Sequence, residues 1–392
     1  MSDPVRTAAR LRPFTSTIFA EMTALATETG AINLGQGFPD SDGPQSLLDA
    51  ACAAIRAGVN QYPPGPGAPE LRAAIAEDRA ARFGIRYDPD TEVLVTVGVT
   101  EAISAAVLGL LDPGDEVVLV EPYYDSYAAA VAMAGARRRT VPMIPTDDGF
   151  ALDVAALREA VTDETRMLVV NTPHNPTGAV YSAAELAAIA EIAVRHDVIV
   201  VSDEVYEHLV FDGRAHTPIA TLPGMAERTV TVSSAGKTFN VTGWKTGWAC
   251  GPADLLAGVR AAKQFMSFTA GAPFQPAVAH ALRTEQPWIA GLRDDLERKR
   301  DFLRDALTEA GFRVHSGGGT YFLCADIRPL GASDGIEFCR ELPKRAGVVA
   351  VPVSVFTDHP VDWSHLVRFA FCKHDDVLAE AAHRLVAAGG GR

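Results

Sequence analysis

Five short runs between residues 92 and 251 are apolar and β-branched nearly throughout: EVLVTVG (92–98), EVVLVEP (116–122), MLVVNTP (167–173), VIVVSDEVY (198–206) and TVTVSS (229–234). A strand with one wet face alternates apolar and polar side chains, whereas a strand covered on both faces has no polar face to show. The runs therefore predict a mostly parallel sheet with helices on both sides. Helical stretches lie between them: TEAISAAVLGLL (100–111), YDSYAAAVAMAG (124–135) and SAAELAAIAEIAVRHD (182–197), the last opening with Ser182 and Glu185 at capping-box spacing. The alternation is that of a doubly wound α/β fold.

Two segments fall outside it. Residues 1–35 read as a helical lead-in, and from Pro287 a charged helix (WIAGLRDDLERKRDFLRDALTEAGF, 288–312) precedes shorter strands such as TYFLCADI (320–327) and HLVRFAF (365–371), an α+β pattern. The expected organisation is an N-terminal segment, 1–35, packing with the small domain, a large domain over 36–286 and a small C-terminal domain over 287–392. The AAGGGR tail (387–392) is expected to fray.

The 392-residue length suits more than one compact unit. Hydrophobic residues at 48% and charged ones at 21% are ordinary for a globular protein, and no apolar run approaches the ~18 residues of a membrane span. A net charge of −14 argues against nucleic acid, whose affinity rests on clustered Lys and Arg. Five scattered cysteines and an N-terminus without an apolar signal core lead us to expect no disulfides and a cytoplasmic location.

In SSAGKTFNVTGWKTGW (233–248), Gly-Lys-Thr invites comparison with a phosphate loop. That loop needs a glycine five positions before the second one, and position 231 is Thr; the residues after Lys237 carry no helical stripe. Lys237 needs another task. Ligands of parallel α/β sheets gather at the carboxyl ends of strands, and those ends collect chemistry: Val99 and Thr100 at a helix start, Tyr123 and Tyr124, His174 to Gly178, Asp203 with Tyr206, and Ser234 with Lys237. Each alone has a structural explanation, Asp203 as a cap and Asn175-Pro176-Thr177-Gly178 as a turn. Together they describe one cleft. The ten histidines show no metal-ligand spacing, so no metal is expected, and no G-x-S-x-G follows a strand.

A lysine, an acid, hydroxyls and an anion-binding helix start match the needs of pyridoxal 5'-phosphate. The amine forms a Schiff base with the aldehyde, and a buried carboxylate keeps the pyridine nitrogen protonated so that the ring accepts the electrons left at the substrate's Cα. An aromatic such as Tyr124 can stack on the ring, and Tyr206 and Asn175 can donate to its phenolate oxygen.

On these residues the chain resembles the fold-type I, class I/II pyridoxal-phosphate-dependent aminotransferases. The motifs run in family order: NLGQGFPD (33–40), NQYPPGPG (60–67), EPYYDSY (121–127), NTPHNPTG (171–178), SDEVY (202–206), SSAGKTFNVTGWKTGW (233–248) and HLVRFAF (365–371). The resemblance implies a large domain with a mostly parallel, seven-stranded-type sheet and a smaller α+β domain. It implies Lys237 as the Schiff-base lysine and proton carrier, Asp203 as the pyridinium partner, Tyr206 and Asn175 as phenolate donors, and Tyr124 as the stacking ring. Ser234, Lys245 and the amides of Val99 and Thr100 resemble the phosphate cup. Arg368 resembles the arginine that forks onto the substrate's α-carboxylate, and Gly37 the glycine lying against it, with Asn175 alongside. Tyr62 resembles the tyrosine that reaches the phosphate of a neighbouring subunit, which implies a homodimer. Lys245 stands where many relatives have arginine, and Thr100 where kynurenine and glutamine transaminases often carry an aromatic.

The implied chemistry is ping-pong transfer between an amino acid and a 2-oxo acid. NLGQGFPD and SAGKTF place the chain near both the kynurenine/glutamine transaminases and the N-succinyldiaminopimelate aminotransferases of lysine biosynthesis. NQYPPGPG, GAPFQPAVA, GTYFLCADIRPLG and Thr100 favour the latter, with 2-oxoglutarate as acceptor. Kynurenine-, glutamine- or methionine-type transamination and cysteine-conjugate β-lyase activity use the same residues and stay open. So does the basic group that would read a distal carboxylate, with Arg12 and Lys263 as candidates. A regulator that merely keeps the fold is disfavoured, because every matched position is filled.

Overall fold

The computed structural model describes residues 6–15, 17–147 and 149–389. Its largest sheet orders the strands Val93–Val97, Thr246–Cys250, Thr229–Ser234, Ile199–Asp203, Thr165–Asn171, Glu116–Glu121, Arg137–Pro145 and Phe150–Leu152. From Thr229–Ser234 to Arg137–Pro145 every neighbouring pair is parallel, while Thr246–Cys250 runs antiparallel to both its neighbours. Every residue of the strands Glu116–Glu121, Ile199–Asp203 and Thr229–Ser234 is buried, which is why they lack a polar face. Seven strands make up the expected mostly parallel sheet. The eighth, Phe150–Leu152, is a short antiparallel addition at the edge.

The helices Gly98–Leu110, Ser126–Ala134 and Ala183–Arg195 cover this sheet as the pattern predicts. Ser182 accepts from the amide of Glu185 while the Glu185 carboxylate accepts from that of Ser182, a reciprocal cap. Such a cap stabilises the helix start by about 1 kcal/mol.

Residues 313–370 build a second, antiparallel sheet from Arg313–His315, Phe322–Asp326, Leu366–Ala370 and Val351–Pro352. The charged helix forms over Gln286–Glu309. The N-terminal helix Ile18–Thr29 buries Met22 and Ala26 in one apolar cluster with Leu342, Val348 and Phe369, and Ile32–Asn33 pairs in parallel with Val348–Val349. The same cluster contains Val205, Tyr206 and Leu209, so the core of the smaller sheet abuts the end of a central strand of the larger one. Of the AAGGGR tail, the first three residues continue the helix Asp375–Gly389 rather than fraying, and 390–392 lie outside the described residues.

Register positions the polar groups. Asn171 pairs with Asp203 and Asp203 with Val232, which sets Asn171 beside Asp203 and places Ser234 two residues farther along the neighbouring strand, all at the carboxyl edge.

Candidate active site

A cavity of about 290 Å³ opens where that edge meets the smaller sheet. Gly37, Val99, Thr100, Tyr124, Asn175, Asp203, Tyr206, Ser234, Lys237, Lys245 and Arg368 all line it. Residues separated by more than 300 positions in the chain thus share one space. Tyr62 does not line this cavity: it is 84% exposed and packs edge-on against Phe268.

Lys237 sits on one helical turn, Ala235–Thr238, directly after the strand Thr229–Ser234. Its amine donates to the hydroxyl of Tyr321 and to the carbonyl of Gly37 at 3.2 Å, and Tyr321 in turn donates to that carbonyl at 2.6 Å. Burial lowers its pKa to about 8; Arg368 and Lys245 push the same way, while Cys372 and Asp203 oppose. A lysine poised there loses its proton far more readily than one in water, as an amine nucleophile and base must. The phosphate-loop reading fails on this geometry, because the amine is turned into the cavity toward Tyr321.

Asp203 is 3% exposed, and burial lifts its carboxyl to about 6. The Tyr127 hydroxyl donates to Oδ2 at 2.6 Å and the Val205 amide to Oδ1 at 3.2 Å, holding the carboxylate form part of the way back. Asn171 braces the same turn: its Nδ2 donates to the Asp203 carbonyl at 2.9 Å and its Oδ1 accepts from the Asn175 amide at 2.7 Å. Tyr206 lies edge-on to Tyr321, with ring centroids 5.2 Å apart, and burial raises its hydroxyl's pKa. Tyr124 stands edge-on to Tyr127 at 5.8 Å.

The helix Gly98–Leu110 begins without a side-chain cap, so Val99 and Thr100 present their amides at the cavity wall. Gly98 has φ +71°, and a Cβ there would sit 3.1 Å from the amine of Lys245; only glycine leaves that approach open. Lys245 itself adopts the left-handed region, at φ 51°.

Arg368, 2% exposed, donates from one terminal nitrogen to Asn175 Oδ1 at 2.9 Å and from the other to the Gly35 carbonyl at 2.9 Å. Its Nε is buried without an acceptor, and the guanidinium lies 4.0 Å from the centroid of Phe322. A buried guanidinium so held is suited to gripping a planar carboxylate.

Three residues that the strand-end search did not single out join the site: Tyr127, Asn171 and Tyr321. Tyr127 lies in EPYYDSY, Asn171 in NTPHNPTG and Tyr321 in GTYFLCADIRPLG, and Asn171 is itself the last residue of its strand. Lys263, by contrast, is spent on the carbonyls of Gly65 and Phe268, at 2.8 and 2.7 Å, and Arg12 is exposed, with its Nε on the Thr7 carbonyl. Neither lines the cavity.

The family model for aminotransferase class I and II matches residues 29–385. The chain is 63% identical over 387 residues to a protein of Mycobacterium tuberculosis named as a probable N-succinyldiaminopimelate aminotransferase, covering 97% of this chain and 98% of that one. It is 39% identical to the methionine aminotransferase of Escherichia coli, covering 98% and 99% respectively. The solved structure of N-succinyldiaminopimelate aminotransferase from M. tuberculosis superposes with a TM-score of 0.96 at 64% identity, covering 97% of this chain and all of that one. The chain belongs to the class I and II aminotransferases, and it is an aminotransferase of the fold-type I architecture.

Proposed function

We propose that this aminotransferase moves the amino group of N-succinyl-LL-diaminopimelate to 2-oxoglutarate with pyridoxal 5'-phosphate at Lys237, as a step of lysine biosynthesis. The observation that carries the substrate is the 63% identity, over 97% of the chain, to the M. tuberculosis relative of that name. A second reading, an apolar or aromatic donor of the methionine or kynurenine type, is favoured by the phenyl rings of Phe19, Phe38 and Phe322 on the cavity wall. Cysteine-conjugate β-lyase activity would draw on the same residues.

The residues present fit the cofactor. Asp203 is a buried acid with only neutral donors on its oxygens, suited to a protonated ring nitrogen. The uncapped start of Gly98–Leu110, with Ser234 and Lys245 beside it, suits a phosphate. When bound, the cofactor supplies an aldehyde for the amine and a ring that accepts the electron pair left at the substrate's Cα.

The chain supplies the rest. Arg368 grips the substrate's α-carboxylate, with Asn175 and the backbone near Gly37 fixing its orientation. The Lys237 amine, its pKa drawn down to about 8, would remove the proton from Cα and return it to the carbon on the far side of the amino nitrogen, two bonds from Cα, general acid–base work typically worth about 10²–10⁴-fold. Tyr321 holds that amine on the Gly37 side of the cavity between transfers. Tyr206 and Asn175 would donate to the cofactor's phenolate oxygen, Tyr124 would stack on its ring, and Val99, Thr100, Ser234 and Lys245, which share the cavity wall, would hold its phosphate.

A homodimer completes the site in this reading, with Tyr62 reaching the neighbouring copy's phosphate. In support, Tyr62 packs edge-on against Phe268, and both are exposed, as are Phe265 and Met266 shortly before Phe268 in the chain, apolar side chains of the kind an interface covers. Five free cysteines support a cytoplasmic location. The packing of Met22 and Ala26 supports an organisation of 1–35 with the small domain 287–392, against a large domain 36–286.

The test is the visible absorbance of the holoenzyme before and after N-succinyl-LL-diaminopimelate, with no oxo acid present. Bleaching of the bound cofactor's band supports this donor. Bleaching only with methionine, kynurenine or glutamine moves the substrate, and a protein that takes up no pyridoxal phosphate defeats the cofactor assignment.

A further inference from the structure

The turn from Asp203 to Glu207 divides its side chains between two faces of the large sheet. Asp203 and Tyr206 face the cavity, while Glu204 and Glu207 point the other way into a cluster of charge. Successive strand residues point to opposite faces, and the neighbouring strand repeats the division. Ser234 lines the cavity, whereas Ser233 donates to Glu207 Oε1 at 2.7 Å.

Arg79, 1% exposed on the helix Pro69–Phe83, stands at the centre of this cluster. One terminal nitrogen lies 3.2 Å from Glu204 Oε2 and 2.8 Å from Glu207 Oε2, and the other donates to Glu207 Oε1 at 3.3 Å. Ser202 donates to Glu204 Oε1 at 3.0 Å, and His216 Nε2 lies 3.1 Å from Glu204 Oε2. Arg82 approaches Glu207 Oε2 at 3.4 Å and also contacts Asp78 and His208. Glu204, Glu207 and His216 have the spacing of a cation site, but the guanidinium of Arg79 already bridges the two carboxylates. No residue of the helix Pro69–Phe83 lines the cavity.

We propose that Arg79 is a positioning residue for the transamination site: by forking between Glu204 and Glu207 it ties the Asp203–Glu207 turn to the strand Thr229–Ser234 from the reverse face, and so sets where Asp203, Tyr206 and Ser234 present their polar atoms. The tie runs from Arg79 to Glu207 and from Glu207 to Ser233, the residue before Ser234 and four before Lys237. Arg79 also cancels charge. Glu204 adjoins Asp203 in the chain, and its negative field favours the proton on Asp203. With the guanidinium in place, the reverse face adds little to the field inside the cavity.

The inference rests on the cofactor reading above. Its test compares holoenzymes of Arg79→Met, Arg79→Lys and the neutralised triple Arg79→Met/Glu204→Gln/Glu207→Gln. Cofactor Kd, the pH midpoint of the bound cofactor's visible band, kcat, KM and Tm are measured for each. In Arg79→Met, kcat falls and cofactor Kd rises by about tenfold to a hundredfold, the scale of a small misplacement of reacting groups, while KM for the donor stays near wild type because Arg368 is untouched. The midpoint rises by about half a unit, since Glu204 and Glu207 lose the guanidinium they share and Glu207 alone keeps another, that of Arg82. The triple buries no unpaired charge and recovers most of the wild-type Tm, yet keeps the losses in kcat and cofactor affinity. Arg79→Lys restores the midpoint but not kcat, because an ammonium lacks the fork. A triple with wild-type kcat and cofactor Kd would overturn the proposal and leave the network a stabiliser alone. If Arg79→Met does not fold, the triple and Arg79→Lys decide the question. Wild-type protein that binds no cofactor would defeat the cofactor reading, whereas loaded variants indistinguishable from wild type would defeat this inference only.

Discussion

Asp203 and Glu207 are carboxylic acids four residues apart, each 3% exposed, on opposite faces of one sheet. Burial pushes both toward the neutral form. For Glu207 the cations Arg79 and Arg82 outweigh that push and hold the carboxyl at about 2; for Asp203, the hydroxyl of Tyr127 and the amide of Val205 offset it only in part, leaving about 6. Depth alone does not decide the charge of a buried acid: the neighbours do. The reverse face is closed by its own ion pairs, while the cavity face keeps groups whose charge a ligand can change.

Lys237→Ala tests the cavity side most severely. Turnover is expected to fall by at least about 10²–10⁴-fold while pyridoxal phosphate still binds, read by steady-state rates and absorbance. Near-wild-type turnover would sink the role given to that lysine. Arg368→Lys comes next: loss of the fork should raise KM for the amino donor by about tenfold to a hundredfold with a smaller change in kcat. An unchanged KM would mean that another group grips the α-carboxylate.

The third prediction compares the two acids directly. Asp203 is raised above its unfolded value of about 3.9, so its favourable contribution to apoprotein stability is present below that pH and lost as pH rises through about 6. Glu207 is depressed below its unfolded value of about 4.3, so its contribution is present above that pH and lost as pH falls toward about 2. At pH 7.5, Asp203→Asn should therefore stabilise the apoprotein by roughly 1–3 kcal/mol, and Glu207→Gln should destabilise it by roughly 3 kcal/mol. Denaturant unfolding of the two variants measures both. Effects of the same sign would break the comparison. Asp203→Asn should also slow transamination, because a neutral amide does not hold a ring proton.

The smallest effect is expected for Gly98→Ala. A Cβ at φ +71° costs about 1–2 kcal/mol and crowds the Lys245 amine, so cofactor affinity should fall several-fold while kcat at saturating cofactor changes little. Unchanged affinity would show that Lys245 does not need that approach.

Much of this was legible from local pattern. The buried strands announced themselves because both their faces are covered, and collecting residues at strand ends found Asp203, Asn175, Ser234 and Lys237 before any fold was known. The strand Arg137–Pro145 was not legible, since its three arginines suit an exposed edge rather than an apolar run. Thr246–Cys250 was not either: it is short and follows the turn Thr242–Trp244 closely, and it becomes a strand only by pairing with Val93–Val97 and Thr229–Ser234. Tyr321 reads as an ordinary strand-region aromatic, and only the docking of the smaller sheet brings its hydroxyl to Lys237.

By itself, then, the sequence determined the buried central strands and the helices between them, the α/β class and which residues stand at the carboxyl edge, because these depend on side-chain periodicity and on neighbours a few positions away. In SDEVYEH it shows three acids, of which Asp203 stands out by its place at the strand end, but it does not show the charge that each will carry. Which of them would be neutralised by arginine and which would be left to titrate near pH 6 was decided by a helix more than a hundred residues earlier in the chain. Electrostatic character is set by distance in space, and only the packed structure determines that.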